Sequence, residues 1–495
     1  MSAFLLGLDI GSSSIKASLI NIESGHLVSS ATAPDKEMEI LSERPGWAEQ
    51  HPEVWWTHVQ SAIKEIRSHE RFKKEDIGAI GISYQMHGLV LIDKLRKVLR
   101  PSIIWCDSRA VEIGDEACRQ MGDERCLSHM LNSPGNFTAS KLKWVKDNEP
   151  ELYDRVYKFM LPGDYIAMKL TDEIQTTISG LSECILWDFK ENSLSSLVMD
   201  QYGIDPSMVP ELTSTFSIQG QLSSGAAREL GLAPGIPLAY RAGDQPNNAF
   251  SLNVLNAGEI AATAGTSGVV YGITEKANYD TASRVNTFVH VNHKSGNPRY
   301  GVLLCVNGTG ILNSWLKHNT GDIDYPEMNA MAAGVPLGSD GLRIFPFGNG
   351  AERVLGNKDI GAVISGMNFN RHTRAHLLRS AQEGIVYALK FGFDIMKDIG
   401  MKMKVVKAGE ANMFLSPVFR EGFVNTNNVI LELYNTDGSQ GAARAAGVGA
   451  GLYADFHEAF KGLEVRQRVE PDISLQKQYE DQYQEWLYIL KKAVL

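Results

Sequence analysis

No long run of lysine or arginine forms in this sequence, and its 48 basic residues are outnumbered by 58 acids, for a formal net charge of −10. Nucleic-acid binding therefore has no electrostatic support. Long apolar stretches are lacking too. None approaches the ~18–20 residues that a membrane span needs. The opening residues Met-Ser-Ala-Phe-Leu-Leu-Gly-Leu-Asp carry no basic leader and meet an acid at Asp9, so no secretory signal is expected. Cysteine is scarce: Cys106, Cys118, Cys126, Cys184 and Cys305 are odd in number and lack metal-type spacing. That argues against a disulfide framework and suits a reducing cytoplasm.

What is present is the composition of a globular chain, 43% hydrophobic and 21% charged over 495 residues, long enough for two to four domains. Near its midpoint stands Tyr240-Arg241-Ala242-Gly243-Asp244-Gln245-Pro246-Asn247-Asn248. Residues 235–240 read as a short buried strand, and 249–255 as the start of a helix or loop. Gly243 allows a sharp turn with room for a ligand beside it, so Asp244 presents a carboxylate at a strand end, where open α/β sheets bind ligands. Gly, Asp, Pro and Asn are equally the residues of a plain polar turn.

A phosphate-type turn occurs in each half. The apolar run 4–8, the segment Asp9-Ile10-Gly11-Ser12-Ser13-Ser14-Ile15-Lys16 and the run 17–20 predict strand, tight turn, strand. Successive N–H groups of Gly11, Ser12 and Ser13 make an anion-binding nest, to which Lys16 adds charge. Asp9 would repel phosphate unless a cation lay between them, which suggests a water-mediated Mg²⁺ site. The segment is neither a G-x-x-x-x-G-K-[ST] loop nor a helix-opening G-x-G-x-x-G. Residues 258–262, the turn Thr263-Ala264-Gly265-Thr266-Ser267-Gly268 and residues 269–272 repeat the pattern, which predicts two related lobes. Hairpins of this kind do not parse as βαβ units, so the α/β fold is not of the Rossmann type.

Other strand ends carry polar tips. Residues 77–83 run into Gln85-Met86-His87-Gly88, placing His87 where it can bond a small polar ligand. Residues 102–107 end in Trp105-Cys106-Asp107. Residues 405–409 run into Gly409-Glu410-Ala411-Asn412, a small-residue turn able to admit a flat ring or a phosphate. Trp55 and Trp56 are read as structural, Thr138 to Val145 as the start of an amphipathic helix, Asp437 to Gly447 as a small-residue packing helix, and the last ~25 residues as a surface helix.

Together these motifs resemble the FGGY family of carbohydrate kinases, within the actin, Hsp70 and sugar-kinase superfamily. The likeness runs from Gly7 to about Gly451. Asp9 to Lys16 and Gly265 to Gly268 resemble its two phosphate hairpins. Thr138 to Asn148, and Ser365-Gly366-Met367 with Ser380-Ala381-Gln382-Glu383, resemble its two signatures, with Asn136 and Gln382 off pattern. Pro45-Gly46-Trp47-Ala48-Glu49-Gln50 and Gln85-Met86-His87-Gly88 are most similar to the xylulokinase branch. Two positions depart. The adenosine turn is Ala408-Gly409-Glu410-Ala411 in place of Gly-Gly-Gly-Ala, which leaves nucleotide choice open, and Gln245 after Asp244 is similar to glycerol kinases.

The resemblance implies two ribonuclease H-like α/β lobes, residues 1–244 and 245–495, around an ATP and sugar cleft. It implies phosphorylation of a ketopentose, D-xylulose to D-xylulose 5-phosphate, in a cytoplasmic enzyme, and it allows a homodimer. Asp244 is then the general base. Met86, His87, Gln245 and Trp105 bind the sugar with it. Gly11, Ser12, Ser13, Lys16, Gly265, Thr266, Gly409 and Asn412 hold ATP, and Asp9 holds Mg²⁺. Alternatives are a kinase of ribulose, fuculose, rhamnulose, gluconate or glycerol, and, in other classes, a non-catalytic sugar sensor or a chaperone-like ATPase.

Overall fold

The computed structural model describes residues 3–69 and 72–494. They form two compact units. The first comprises Met1–Asn253, Phe288–Arg299 and Thr436–Leu463, and the second Val254–Thr287, Tyr300–Asn435 and Glu464–Leu495. A single cut after residue 244 does not reproduce this division. The helix that begins at Asp244 stays with the first unit, and residues 436–463 return to it from far along the chain, because its sheet needs them as a cover.

The first unit is built on β1 (Phe4–Ile10), β2 (Ile15–Asn21), β3 (Leu27–Ala33), β4 (Ile77–Tyr84) and β5 (Leu238–Gly243), in the order β5-β4-β1-β2-β3. β1, β2 and β3 pair antiparallel, whereas β1–β4 and β4–β5 are parallel. The β1–β2 turn is closed by the Gly11 N–H donating to the Ser14 carbonyl at 3.1 Å. Its register sets Asp9 opposite Lys16 on one side and Ser83 on the other.

The second unit repeats this scheme. β6 (Glu259–Ala264), β7 (Gly268–Thr274) and β9 (Tyr300–Val306) are antiparallel neighbours, with β8 (Asn286–Val289) beyond β9. β10 (Val405–Gly409) and β11 (Ile430–Tyr434) run parallel to β6, and β12 (Val465–Val469) closes the edge antiparallel. The order β9-β7-β6-β10-β11 matches β3-β2-β1-β4-β5 strand for strand. The expected pair of related α/β lobes, each opened by a hairpin, is what the chain forms.

Helices close both faces of the first sheet: α1 (Pro52–His69), α3 (Pro162–Thr171), α4 (Ile178–Glu183), α5 (Asp244–Ser251) and, from the C-terminal part, α10 (Gly438–Gly449), while α2 (Thr138–Asn148) packs on other helices of the unit. α10 lies directly on β1, β4 and β5. A Cβ on Gly7 would stand 1.8 Å from the Ser439 carbonyl oxygen, and one on Gly81 2.0 Å from that of Ala442. Only glycine permits this approach, and the run of Gly and Ala in α10 is its counterpart. Tyr84, one residue out of phase with Ser83, faces the other side, where α3 meets its ring at Gly163.

In the second unit α6 (Gly310–Asn319), α7 (Tyr325–Ala333), α8 (Arg374–Asp398), α9 (Pro417–Asn427) and α11 (Ile473–Ile489) surround the sheet. Ile385, Leu389 and Phe393 recur at four-residue spacing on α8 and are fully buried, each contributing roughly 1.5–3 kcal/mol. Among the described residues no helix is long and apolar enough to cross a membrane.

Candidate active site

The three adjacent strand ends β1, β4 and β5 deliver polar residues to one edge of the first unit. β5 passes straight into α5, so Asp244 is the first residue of a helix with Gly243 as its cap. Pro246 falls in the first turn, where a missing N–H costs no hydrogen bond. The Asp244 carboxylate accepts from Gln245 Nε2 at 3.2 Å. Burial first, and then the charge of Asp9, push Asp244 up to about 7, against the hydrogen bonds of Gln245. Asp9 is raised to about 6, chiefly by burial, with Asp437 adding to the rise and Ser83 and Lys16 opposing it.

Asp437 supplies a third carboxylate. It caps α10, accepting from the Gln440 N–H at 3.0 Å and from Ser439 Oγ at 2.7 Å, and it pairs with Lys16 Nζ at 2.5 Å. Burial, the largest single influence, pushes Asp437 up, but Lys16 and these hydrogen bonds together hold it below the ordinary carboxylate range. A Cβ on Gly438 would lie 2.5 Å from Asp9 Oδ2, so the start of α10 sits against Asp9. Its N-terminal dipole favours negative charge there.

Beside this cluster Met86 and His87 follow β4. Met86 is buried, and its Cγ lies 2.5 Å from where a Cβ on Gly243 would stand. His87 has φ +62° and packs edge-on to Phe137 at 4.7 Å. Its Nδ1 is 3.0 Å from the carbonyl oxygen of Glu183. A carbonyl only accepts, so Nδ1 carries the proton and the tautomer is set. The Glu183 carboxylate accepts from Tyr84 Oη at 2.6 Å and from the His87 N–H at 3.2 Å. Burial raises it well above the usual range, and the charges of Asp244 and Asp164 add to the rise. Gln85, between Ile10 and Met86, is buried with both amide atoms unpartnered.

The fold thus brings together Asp9, Lys16, Asp244 and Gln245, with Met86 and His87 alongside. Trp105, half exposed, donates from Nε1 to Ser12 Oγ at 3.2 Å. Gln50 Nε2 holds the Ser12 carbonyl at 2.7 Å, and Gly11 and Ser13 complete the turn. Lys16 is engaged by Asp437.

The remaining expected residues belong to the second unit. The Gly310 and Ile311 N–H groups donate to the carbonyls of Gly265 and Thr266 at 2.9 and 3.1 Å, fixing the β6–β7 turn at the start of α6. Beside it opens a cavity of about 950 Å³, lined by Gly265, Thr266, Asn313, Tyr325, Asn412 and Pro417 among others. That is the size of a cofactor pocket. Gly409 and Glu410 lie outside its lining. Glu410 is exposed, and its N–H donates to the Tyr434 carbonyl at 2.9 Å.

Asp437 and Glu183 are the two acids that reading the sequence missed. Asp437 had a usable signal, since Asp followed three residues later by Gln marks a helix start. Glu183 had only its isolation among Leu181, Cys184, Ile185 and Leu186.

Residues 4–251 match the FGGY family of carbohydrate kinases, N-terminal domain. The chain is 28% identical over 464 residues to a xylulose kinase of Bacillus subtilis (strain 168), covering 92% of this chain and 90% of that one. It is 27% identical over 481 residues to a xylulose kinase of Escherichia coli (strain K12), covering 96% of each. Among solved structures, the xylulose kinase from Rhodospirillum rubrum aligns with a TM-score of 0.86 at 24% identity, over 99% of this chain and 98% of that one. The gluconate kinase from Lactobacillus acidophilus gives 0.87 at 21% identity, over 99% of each. These whole-length likenesses show the sugar-kinase fold. With the family match spanning half its length, the chain belongs to the FGGY family of carbohydrate kinases, enzymes that transfer a phosphoryl group from ATP to a sugar.

Proposed function

We propose that the sugar is D-xylulose, converted to D-xylulose 5-phosphate, with Asp244 as the general base. The observation that carries this reading is the convergence of Met86, His87 and Asp244 on one buried polar edge, with the His87 tautomer set by Glu183. The bond from Nδ1 to the Glu183 carbonyl orients the His87 ring, and a ring so held suits contact with a sugar hydroxyl. The likeness to proteins named xylulose kinase supports the choice of sugar. The equal fold likeness to a gluconate kinase leaves that choice to experiment.

Phosphoryl transfer asks the protein mainly for positioning and charge neutralisation. Met86, His87, Gln245 and Trp105 would orient the sugar, while Asp244 removes the proton of the attacking hydroxyl. Its pKa near 7 suits a base working at neutral pH. In the second unit the turn of Gly265 and Thr266, with Asn412, would hold ATP, with Gly409 shaping the strand end that leads to Asn412; in the first unit the turn of Gly11, Ser12 and Ser13 is a phosphate-type turn of the same kind. Asp9, Asp244 and Asp437 are three carboxylates against one lysine, and that excess of negative charge fits a divalent cation. Mg²⁺ is held by one or two carboxylates plus phosphate and water. When bound, Mg²⁺ supplies neutralisation of phosphate charge. Asp9 would be its protein ligand.

An ADP-release assay over D-xylulose, D-ribulose, L-fuculose, L-rhamnulose, gluconate and glycerol tests the reading. The highest kcat/KM is expected with D-xylulose. A clear preference for another substrate would replace the sugar assignment and keep the kinase.

A further inference from the structure

The most deeply buried lysine of the first unit plays no part in the chemistry above. Lys141, on α2, is fully enclosed. Its Nζ donates to the carbonyl of His87 at 2.8 Å and to that of Ile104 at 2.9 Å. Burial pulls its pKa down to about 8, while the nearby Asp107 carboxylate favours the charged form. A buried ammonium is costly unless its donors are satisfied, and here two of the three are spent on backbone oxygens from separate segments.

Both segments carry sugar-site candidates, His87 on one and Trp105 on the other. His87 lies in the left-handed region at φ +62°, a conformation that a non-glycine residue keeps only when its surroundings enforce it. Ile104 directly precedes Trp105. The segments are also tied by the Leu89 N–H donating to the Ile103 carbonyl at 2.9 Å, but that bond lies outside both turns. At the turns themselves the lysine bonds both.

We propose that Lys141 is a positioning residue, which clamps the carbonyls of His87 and Ile104 together and so sets the separation of His87 from Trp105. This rests on the reading that both side chains contact the sugar. The clamp acts through backbone alone, so Lys141 touches no substrate and alters no reacting atom. Its loss lets the left-handed turn at His87 relax and the Trp105 tip drift, and the sugar is then bound less well while ATP is not.

The test compares Lys141→Met and Lys141→Gln with Ser140→Ala. Ser140 is the neighbouring buried residue on α2, and its hydroxyl bonds the Pro134 carbonyl and Tyr202 Oη, away from both segments. Amide hydrogen exchange is followed over residues 85–89 and 102–107, and KM is measured for D-xylulose and for ATP. Lys141→Met should speed exchange in both segments and raise the sugar KM tenfold or more, with the ATP KM within twofold. Lys141→Gln, which keeps two N–H donors, should restore part of both effects. Ser140→Ala should leave both near wild type even if it lowers Tm. Should the methionine variant not fold, the glutamine variant carries the comparison. Unchanged exchange in both segments would overturn the clamp. Faster exchange with an unchanged sugar KM would make it merely structural. A wild-type enzyme inactive on every ketose fails the sugar reading, and the positioning role with it, whereas the exchange result still decides whether the clamp exists.

Discussion

Replacing Asp244 by Asn keeps the shape of the side chain and its contact with Gln245 while removing the proton acceptor. With a pKa near 7, set by burial and by the charge of Asp9, the wild-type carboxylate is about nine-tenths ionised at pH 8. A positioned general base contributes about 10²–10⁴-fold, or roughly 3–5 kcal/mol of barrier at 1.36 kcal/mol per decade. At pH 8 and fixed free Mg²⁺, Asp244→Asn should therefore lose at least about 100-fold in kcat. Calorimetry should still detect sugar binding. The wild-type kcat/KM should rise with pH and level off above about 7, a break that belongs to the interacting Asp9–Asp244 pair and should vanish in the variant. Because Asp9 is the second cause of the rise at Asp244, Asp9→Asn should move the break to lower pH. A folded Asp244→Asn enzyme with near-wild-type turnover would refute the base assignment and return Asp-Gln-Pro-Asn to a helix start without chemistry.

Three further outcomes are expected. The turnover defect of Asp9→Asn should shrink as Mg²⁺ is raised, whereas that of Asp244→Asn should not; identical Mg²⁺ responses would show that the two carboxylates do not divide the roles. His87→Ala removes the proposed partner of a sugar hydroxyl, a loss of about 1–3 kcal/mol when that partner stays buried and unpaired, so the sugar KM should rise roughly 5- to 150-fold with the ATP KM little changed; a selective loss of ATP affinity would move His87 out of the sugar site. Glu352, fully buried, accepts from the Asn307 and Gly308 N–H groups, yet burial raises it to about 7 from an ordinary 4.5. The folded state then binds the extra proton, so this group's stabilisation is complete below pH 4.5 and is lost as pH rises to 7, by up to about 3 kcal/mol. Denaturation of Glu352→Gln across that window should show a correspondingly flatter pH dependence than the wild type.

The hairpins were legible because their turn chemistry is local: Gly11 with its serines and Gly265 with Thr266 announce the turn wherever the rest of the chain lies. Asp244 was legible as a carboxylate at a strand end, but not as a helix start, since Gly, Asp, Pro and Asn serve turns and helix openings alike. The strand through Trp105 proved shorter than its apolar run, covering only Ser102–Ile103. The beyond-local features were not legible. Lys141 reads as one more cation on an amphipathic helix until His87 and Ile104 are seen to converge on it. Glu183 gains meaning only from Tyr84 and His87, 99 and 96 positions earlier. The return of residues 436–463 to the first unit has no local signal, because what selects it is the bare face left by Gly7 and Gly81.

That return sets an order of events during synthesis. Lys16 and Asp437 are 421 residues apart, which at about 5–20 residues per second is a wait of roughly 20–80 s. Throughout that interval the nascent first sheet lacks the helix that closes it. The glycine-lined face stays open to solvent, and Asp9 stands without the helix N-terminus that later lies against it. A ribosome-bound chain released between residues 244 and 437 would hold every strand of the first sheet and still have no finished site, so the vulnerable period of this protein's life lies late in translation.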